Sequence, residues 1–187
     1  MARTASSTAQ LGSRAPDFRL PDVVTGAIVT RDAAAGPKGL LAMFICRHCP
    51  FVKHVQHELA RLGDDYAESG IGIVAIGSND AVSFPDDRPE SLAAMASELG
   101  FSFPFLYDET QDVAHAYDAQ CTPDFFLYDG QGRLVYRGQL DDSRPGNGVP
   151  VSGTDLRAAM DRLIAGKVIP VEQRPGIGCS IKWKARD

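Results

Sequence analysis

The chain has 187 residues, of which 44% are hydrophobic and 23% charged, with a formal net charge of −5. That length and composition fit one globular domain and exclude global disorder. A mildly acidic chain gives no electrostatic reason to bind nucleic acid or anionic lipid, and its longest apolar run, residues 40–46, is far short of a membrane span.

Residues 1–10 are small and polar without an apolar centre, which predicts a flexible tail, no secretory leader and a cytoplasmic location. Residues 15–21 read as extended, and 27–30 as their hairpin mate across the Thr25-Gly26 turn. The continuous apolar run at 40–45 fits a strand buried on both faces. From Pro50 to Glu68, Val52, Val55, Leu59, Leu62 and Tyr66 recur at steps of three and four, the pattern of an amphipathic helix. Residues 71–77 are a second buried strand, and 91–99 a helix stopped by Gly100. Between these two, Phe84-Pro85-Asp86-Asp87-Arg88-Pro89 is a loop signal the size of a small insertion. A short strand at 103–107, a short helix at 110–117, a hairpin of 124–128 and 133–137 around Asp129-Gly130-Gln131-Gly132, and a helix over 156–165 complete the chain. This order predicts an α/β sandwich with a mixed central sheet, helices on both faces and an N-terminal hairpin extension. Residues 11–187 form one domain, with the apolar side chains of 168–183 docking the C-terminal segment on its body.

The four cysteines, Cys46, Cys49, Cys121 and Cys179, are expected to be reactive or metal-binding in a cytosolic chain. Cys46-Arg47-His48-Cys49 lies between a buried strand and a long helix, the context of a redox dithiol. A helix N-terminus stabilises a thiolate, and Arg47 and protonated His48 add positive charge. Cys46, ahead of the helix body and facing solvent, is expected to be the attacking thiol with a lowered pKa, and Cys49 the half-sheltered resolving one. Cys46, Cys49 and one of His48, His54 or His57 could also ligate zinc or copper(I), but no second ligand pair follows, so no metal site is assigned. Gly146-Asn147-Gly148 does not join a strand to a helix, so no nucleotide or other cofactor site is assigned either.

From Leu11 to the last helix the chain resembles thioredoxin-fold proteins of the peroxiredoxin-like branch, the redoxin or alkyl-hydroperoxide-reductase/thiol-specific-antioxidant group. The resemblance rests on residues 12–21 (Gly12-Ser13-Arg14-Ala15-Pro16-Asp17-Phe18-Arg19-Leu20-Pro21), on Phe44-Ile45-Cys46-Arg47-His48-Cys49-Pro50, and on residues 122–129 beginning Thr122-Pro123. Asp141-Asp142-Ser143-Arg144-Pro145 and the ending 178–184 are similar to an uncharacterised bacterial subgroup. The resemblance implies that Pro123 is the cis-proline facing the dithiol, and that the backbone of Thr122 pairs with a substrate's extended chain. It brings Cys121 within reach of Cys46, although a buried apolar thiol is favoured for it. Cys179 is likewise favoured as an inert packed thiol over a third redox partner.

The departures from the family pattern sort the chemistry. Matching Cys49-Pro50 to the peroxiredoxin Cys-Pro leaves Cys46 and Ala42 where a threonine and a proline are expected, and Cys121-Thr122-Pro123 where an arginine is expected. These losses remove donors that would stabilise a peroxide's developing charge. Relative to thioredoxin, Ile45 replaces a tryptophan and Leu40 a buried carboxylate, so water or His48 is the candidate base. The Arg47-His48 pair implies a site less reducing than thioredoxin. The expected activity is a thiol–disulfide oxidoreductase working through a mixed disulfide on protein or small-molecule disulfides, recharged by a thioredoxin or glutathione system. The alternatives are a low-rate thiol peroxidase and a metal-binding or redox-sensing module without turnover. Asp141, Asp142 and Arg144 read as a loop held by its own turns and ion pairs.

Overall fold

In the computed structural model, which describes residues 3–6 and 10–185, the chain begins with β1 (Arg3–Ala5), β2 (Arg19–Pro21), β3 (Ile28–Thr30), α1 (Arg31–Ala34) and β4 (Gly39–Phe44). It continues through α2 (Pro50–Asp65), β5 (Ile71–Gly77), a 3-10 turn at Pro85–Asp87, α3 (Pro89–Leu99), β6 (Phe105–Tyr107) and α4 (Asp112–Ala116). It ends with β7 (Cys121–Thr122), β8 (Asp124–Asp129), β9 (Leu134–Tyr136), α5 (Thr154–Ile164) and β10 (Ile177–Ser180). Among the described residues no helix is long and apolar enough to cross a membrane.

β4 has no polar side chain to offer water, and all six of its residues are buried. It pairs antiparallel with β8 from Gly39↔Asp129 to Phe44↔Asp124, and β8 pairs antiparallel with β9. On the other side β5 lies against β4, Ile45 N–H donating to the Ile76 carbonyl at 3.1 Å, and β6 runs parallel to β5. Alternation along β4 divides the core. Leu41, Met43 and Ile45 pack with Val52, Leu59 and Leu62 of α2, Leu92 of α3 and Leu156 and Met160 of α5, whereas Leu40, Ala42 and Phe44 pack with Val113 and Ala114 of α4 and with Tyr117 and Phe126. The sheet therefore has helices on both faces. β2 and β3 form the antiparallel hairpin that precedes it.

A second, smaller sheet was not visible in the sequence pattern. β10 lies between β1 and β7 and is antiparallel to both, with Cys179 opposite Arg3 on one side and Thr122 on the other. Within the segment expected to be a flexible tail, Arg3–Ala5 is therefore a strand; residues 1, 2 and 7–9 of that segment lie outside the described residues. Beyond β10 the chain is tied to the end of β5: Lys182 N–H donates to Asn79 Oδ1 at 2.9 Å, and Asp80 N–H to the Lys182 carbonyl at 2.8 Å.

Gly178 sits where β10 and β7 touch. A Cβ there would lie 2.2 Å from the Thr122 carbonyl oxygen, a backbone atom that can yield only if the strands part. Gly178→Ala is expected to cost roughly 1–3 kcal/mol, as overpacking does, and to lower the thermal midpoint by about 2–4 °C per kcal/mol. A thermal unfolding scan equal to that of the wild type would contradict this packing.

Candidate active site

The strand-to-helix connection after β4 carries Cys46, Arg47 and His48, and Cys49 is the N-cap of α2, with Pro50 as its first residue. Proline fits there because the first helical N–H has no partner within the helix. Thr122, at the end of β7, meets both sulfurs. Its Oγ1 is 3.2 Å from Cys46 Sγ, and its carbonyl oxygen is 3.1 Å from Cys49 Sγ. The Thr122–Pro123 peptide is cis. From β10, Cys179 stands directly across the strand pair from Thr122.

All four cysteines are thiols and all are buried, with relative exposures of 1% for Cys46, 0% for Cys49 and Cys121, and 2% for Cys179. This corrects the expectation that Cys46 faces solvent. Thr122 of β7 lies against the Cys46 sulfur, and Asp87 of the 3-10 turn lies beside it, where a bare helix terminus would have met solvent.

The charges are also placed differently from expectation. The Arg47 guanidinium turns toward α3, donating to the Ser91 carbonyl at 2.6 Å and to the Glu98 carboxylate at 3.0 Å. Its backbone N–H instead donates to Asp87 Oδ1 at 2.8 Å, followed by that of His48 at 3.3 Å. Asp87 Oδ2 is 2.5 Å from His48 Nδ1 and accepts from Asn79 Nδ2 at 2.8 Å. One buried carboxylate thus holds the shape of the whole connection. Burial alone would raise the Asp87 pKa, but the hydrogen bonds from His48, Asn79 and Arg47 outweigh it and hold the carboxyl below its usual range. The imidazole stacks on Phe84, ring centroids 5.2 Å apart, and its Nε2 is buried without a hydrogen-bond partner among the described residues.

Asp87 and Asn79 are site residues that the sequence did not reveal. Asp87 belonged to a recognised loop signal, but nothing in Pro85-Asp86-Asp87-Arg88 tells which aspartate turns inward. Ligand atoms of Cys46, His48 and Asp87 lie within 4.8 Å of one another. The His48–Asp87 hydrogen bond occupies the carboxylate oxygen and one imidazole nitrogen, leaving this set short of the four donors of a closed zinc site.

Cys46 and Cys49 titrate as a pair. The hydrogen bond from the Cys46 thiol is the largest influence on Cys49, lowering its pKa to about 5, with Cys179, Thr122 and the Val52 backbone lowering it further against burial. The same sulfur–sulfur bond, with burial behind it, raises Cys46 well above the ordinary thiol value, the reverse of the sequence expectation. The Thr122 carbonyl pulls the other way: it accepts from a Cys49 thiol and repels a thiolate, favouring charge on Cys46. The first proton lost therefore belongs to the pair, the remaining S–H stabilising whichever sulfur is charged. Cys121 is a separate case. Its thiol is pushed up by burial and reaches the Pro123 carbonyl at 3.6 Å.

The Asp141 loop is held by its own hydrogen bonds, but its ion pair reaches outside it, from Asp142 to Arg174 at 2.7 Å. The Asp141 carboxylate accepts from Ser143, Ser152 and Gly153, and Arg144 donates to the Asp141 carbonyl and to Gln139.

The AhpC/TSA family profile matches residues 11–137, which span the hairpin, the dithiol and the segment after the cis-proline. The chain belongs to the AhpC/TSA family. A crystal structure of an uncharacterized conserved protein from Geobacillus kaustophilus is 53% identical, with a TM-score of 0.98 over 100% of this chain and 99% of that one. The thiol-disulfide oxidoreductase ResA of Halalkalibacterium halodurans is 27% identical over 130 residues, 69% of this chain and 68% of the relative. A secreted Mycobacterium tuberculosis disulfide oxidoreductase homologous to E. coli DsbE, 15% identical, superposes with a TM-score of 0.59 over 77% of this chain and 94% of that one, a likeness of fold alone. The fold is thioredoxin-like.

Two outcomes follow from the electrostatics. Ultraviolet thiolate absorbance should show one thiolate formed around pH 5 and a second only at strongly alkaline pH, and Cys46→Ser should return the first step toward the ordinary value of about 8.5. A wild-type protein with no step below pH 7 would contradict the shared proton. A carboxyl whose folded pKa is depressed stabilises the fold above its unfolded value of about 3.9 and loses that contribution as pH falls through the folded value. Asp87→Asn should therefore cost roughly 1–3 kcal/mol at pH 7, with the gap to wild type closing in strong acid, as read by denaturant unfolding at both pH values.

Proposed function

We propose that this protein catalyses thiol–disulfide exchange with the Cys46–Cys49 dithiol, on protein or small-molecule disulfides. The observation that carries this is the placement of the two thiols at the head of α2 with Thr122 meeting both sulfurs, its hydroxyl 3.2 Å from Cys46 Sγ and its carbonyl 3.1 Å from Cys49 Sγ, in surroundings that lower the first thiol of the pair to about 5. A thiolate is the attacking species in disulfide exchange. The similarity to a relative named as a thiol-disulfide oxidoreductase supports the same chemistry.

Cys46 is the attacking sulfur. Cys49 is walled in by the Thr122 carbonyl, Cys179 and the Val52 backbone, whereas the Cys46 sulfur meets the Thr122 hydroxyl, which can donate to a thiolate. The Cys46 thiolate attacks one substrate sulfur, the substrate S–S bond breaks, and one substrate thiolate leaves. Cys49 passes its proton to that leaving thiolate and, as a thiolate, attacks Cys46 Sγ, forms the Cys46–Cys49 disulfide and expels the second substrate thiolate. The second leaving thiolate takes up a proton from solvent, for which the His48 imidazole, oriented by Asp87, is the nearby relay. A thioredoxin- or glutathione-type reductant returns the dithiol. Because both sulfurs are buried, their surroundings must open for substrate to enter.

Insulin-disulfide reduction with wild type, Cys46→Ser and Cys49→Ser tests the assignment. Both variants should fall to background, and Cys49→Ser alone should accumulate a mixed disulfide with substrate, visible by mass spectrometry. Activity retained by Cys46→Ser, or hydroperoxide consumption by a wild type that leaves insulin intact, would refute it.

A further inference from the structure

β10 places Cys179 in register with Thr122, the residue whose hydroxyl and carbonyl meet Cys46 and Cys49. Thr122 thus gathers three sulfurs: its hydroxyl is 3.2 Å from Cys46 Sγ, its carbonyl oxygen 3.1 Å from Cys49 Sγ, and Cys179 lies directly across the strand pair from it, buried in the same apolar cluster as the other two. The approach is close because residue 178 is glycine: no side chain separates the two strands at that point. Three thiols arranged around one residue, two of them expected to become a disulfide, give the third a bond to attack without any diffusing partner.

We propose that Cys179 is a third redox thiol of this site, taking over Cys49 from the Cys46–Cys49 disulfide. This rests on the exchange chemistry proposed above, which supplies that disulfide. Cys179 gives up its proton and its sulfur attacks Cys49 Sγ. The Cys46–Cys49 bond breaks, the Cys49–Cys179 bond forms, and Cys46 leaves as a thiolate able to accept the proton. No electrons enter or leave the protein in this step. The product has the C-terminal strand bonded to the head of α2 and Cys46 reduced and ready for a second substrate disulfide.

In the reduced protein burial and the hydrogen bond to Cys49 push the Cys179 thiol up to about 12, which holds it inert. Oxidation of Cys49 removes the thiolate that this hydrogen bond serves, so the restraint weakens only after the first disulfide has formed. Cys121 takes no part in this exchange; its thiol is directed to the Pro123 carbonyl.

The test uses the full-length reduced protein treated with oxidised glutathione, then acid quench, alkylation with a maleimide and peptide mass mapping. Wild type should yield both Cys46–Cys49 and Cys49–Cys179 linkages. Cys179→Ser should yield Cys46–Cys49 alone. A wild type that forms Cys46–Cys49 and reduces insulin while Cys179 is recovered fully alkylated overturns the role of Cys179 and leaves dithiol exchange standing. A wild type that neither forms Cys46–Cys49 nor reduces insulin overturns both. Because wild type itself must show the Cys49–Cys179 linkage, the result does not depend on a variant's folding.

Discussion

Thr122 occupies a position in which three demands meet: a hydroxyl for Cys46, a carbonyl for Cys49, and a backbone in register with Cys179. β7 is only two residues long, too short to be held by its own propensity, so it keeps its place because β10 pairs along it and β8 follows directly from it. The relative placement of the sulfurs is therefore a property of the small sheet β1-β10-β7. Without β10, Thr122 would present an open strand edge, the kind of edge that an incoming extended chain completes. In the closed state the protein's own strand fills it.

The second constraint is the Asp87 carboxylate, which stands under the Arg47–His48 connection much as a capping side chain stands under a helix. Burying a carboxylate is costly unless its oxygens are hydrogen-bonded, and here each oxygen has two partners. The arrangement fixes His48 by its Nδ1 and leaves the other nitrogen toward the protein interior. Arg47, the residue whose charge seemed most relevant to a thiolate, fastens the connection to α3 through Ser91 and Glu98.

What could be read from the sequence was whatever local chemistry determines. The buried strand at 40–45, the amphipathic stripe of α2 and the 124–136 hairpin follow from apolar spacing and turn residues, and the dithiol from its place between strand and helix. β1, β7 and β10 escaped because they have two to four residues each and exist through pairing between distant parts of the chain. The same distance explains the error about Cys46: Thr122 and Asp87, the groups beside its sulfur, come from far along the chain, and no pattern near the motif announces them. The Cys46 pKa was misjudged for a related reason. A helix terminus and a neighbouring arginine are local signals, whereas burial and the second sulfur are decided by the assembled fold.

The pairing of β1 with β10 has a further consequence. Arg3, close to the start of the chain, lies directly across from Cys179, close to its end. Arg3–Ala5 thus braces the strand that holds Cys179 from its far side, so a substitution in those three residues that loosens their backbone pairing reaches the sulfurs through β10 without touching any of them.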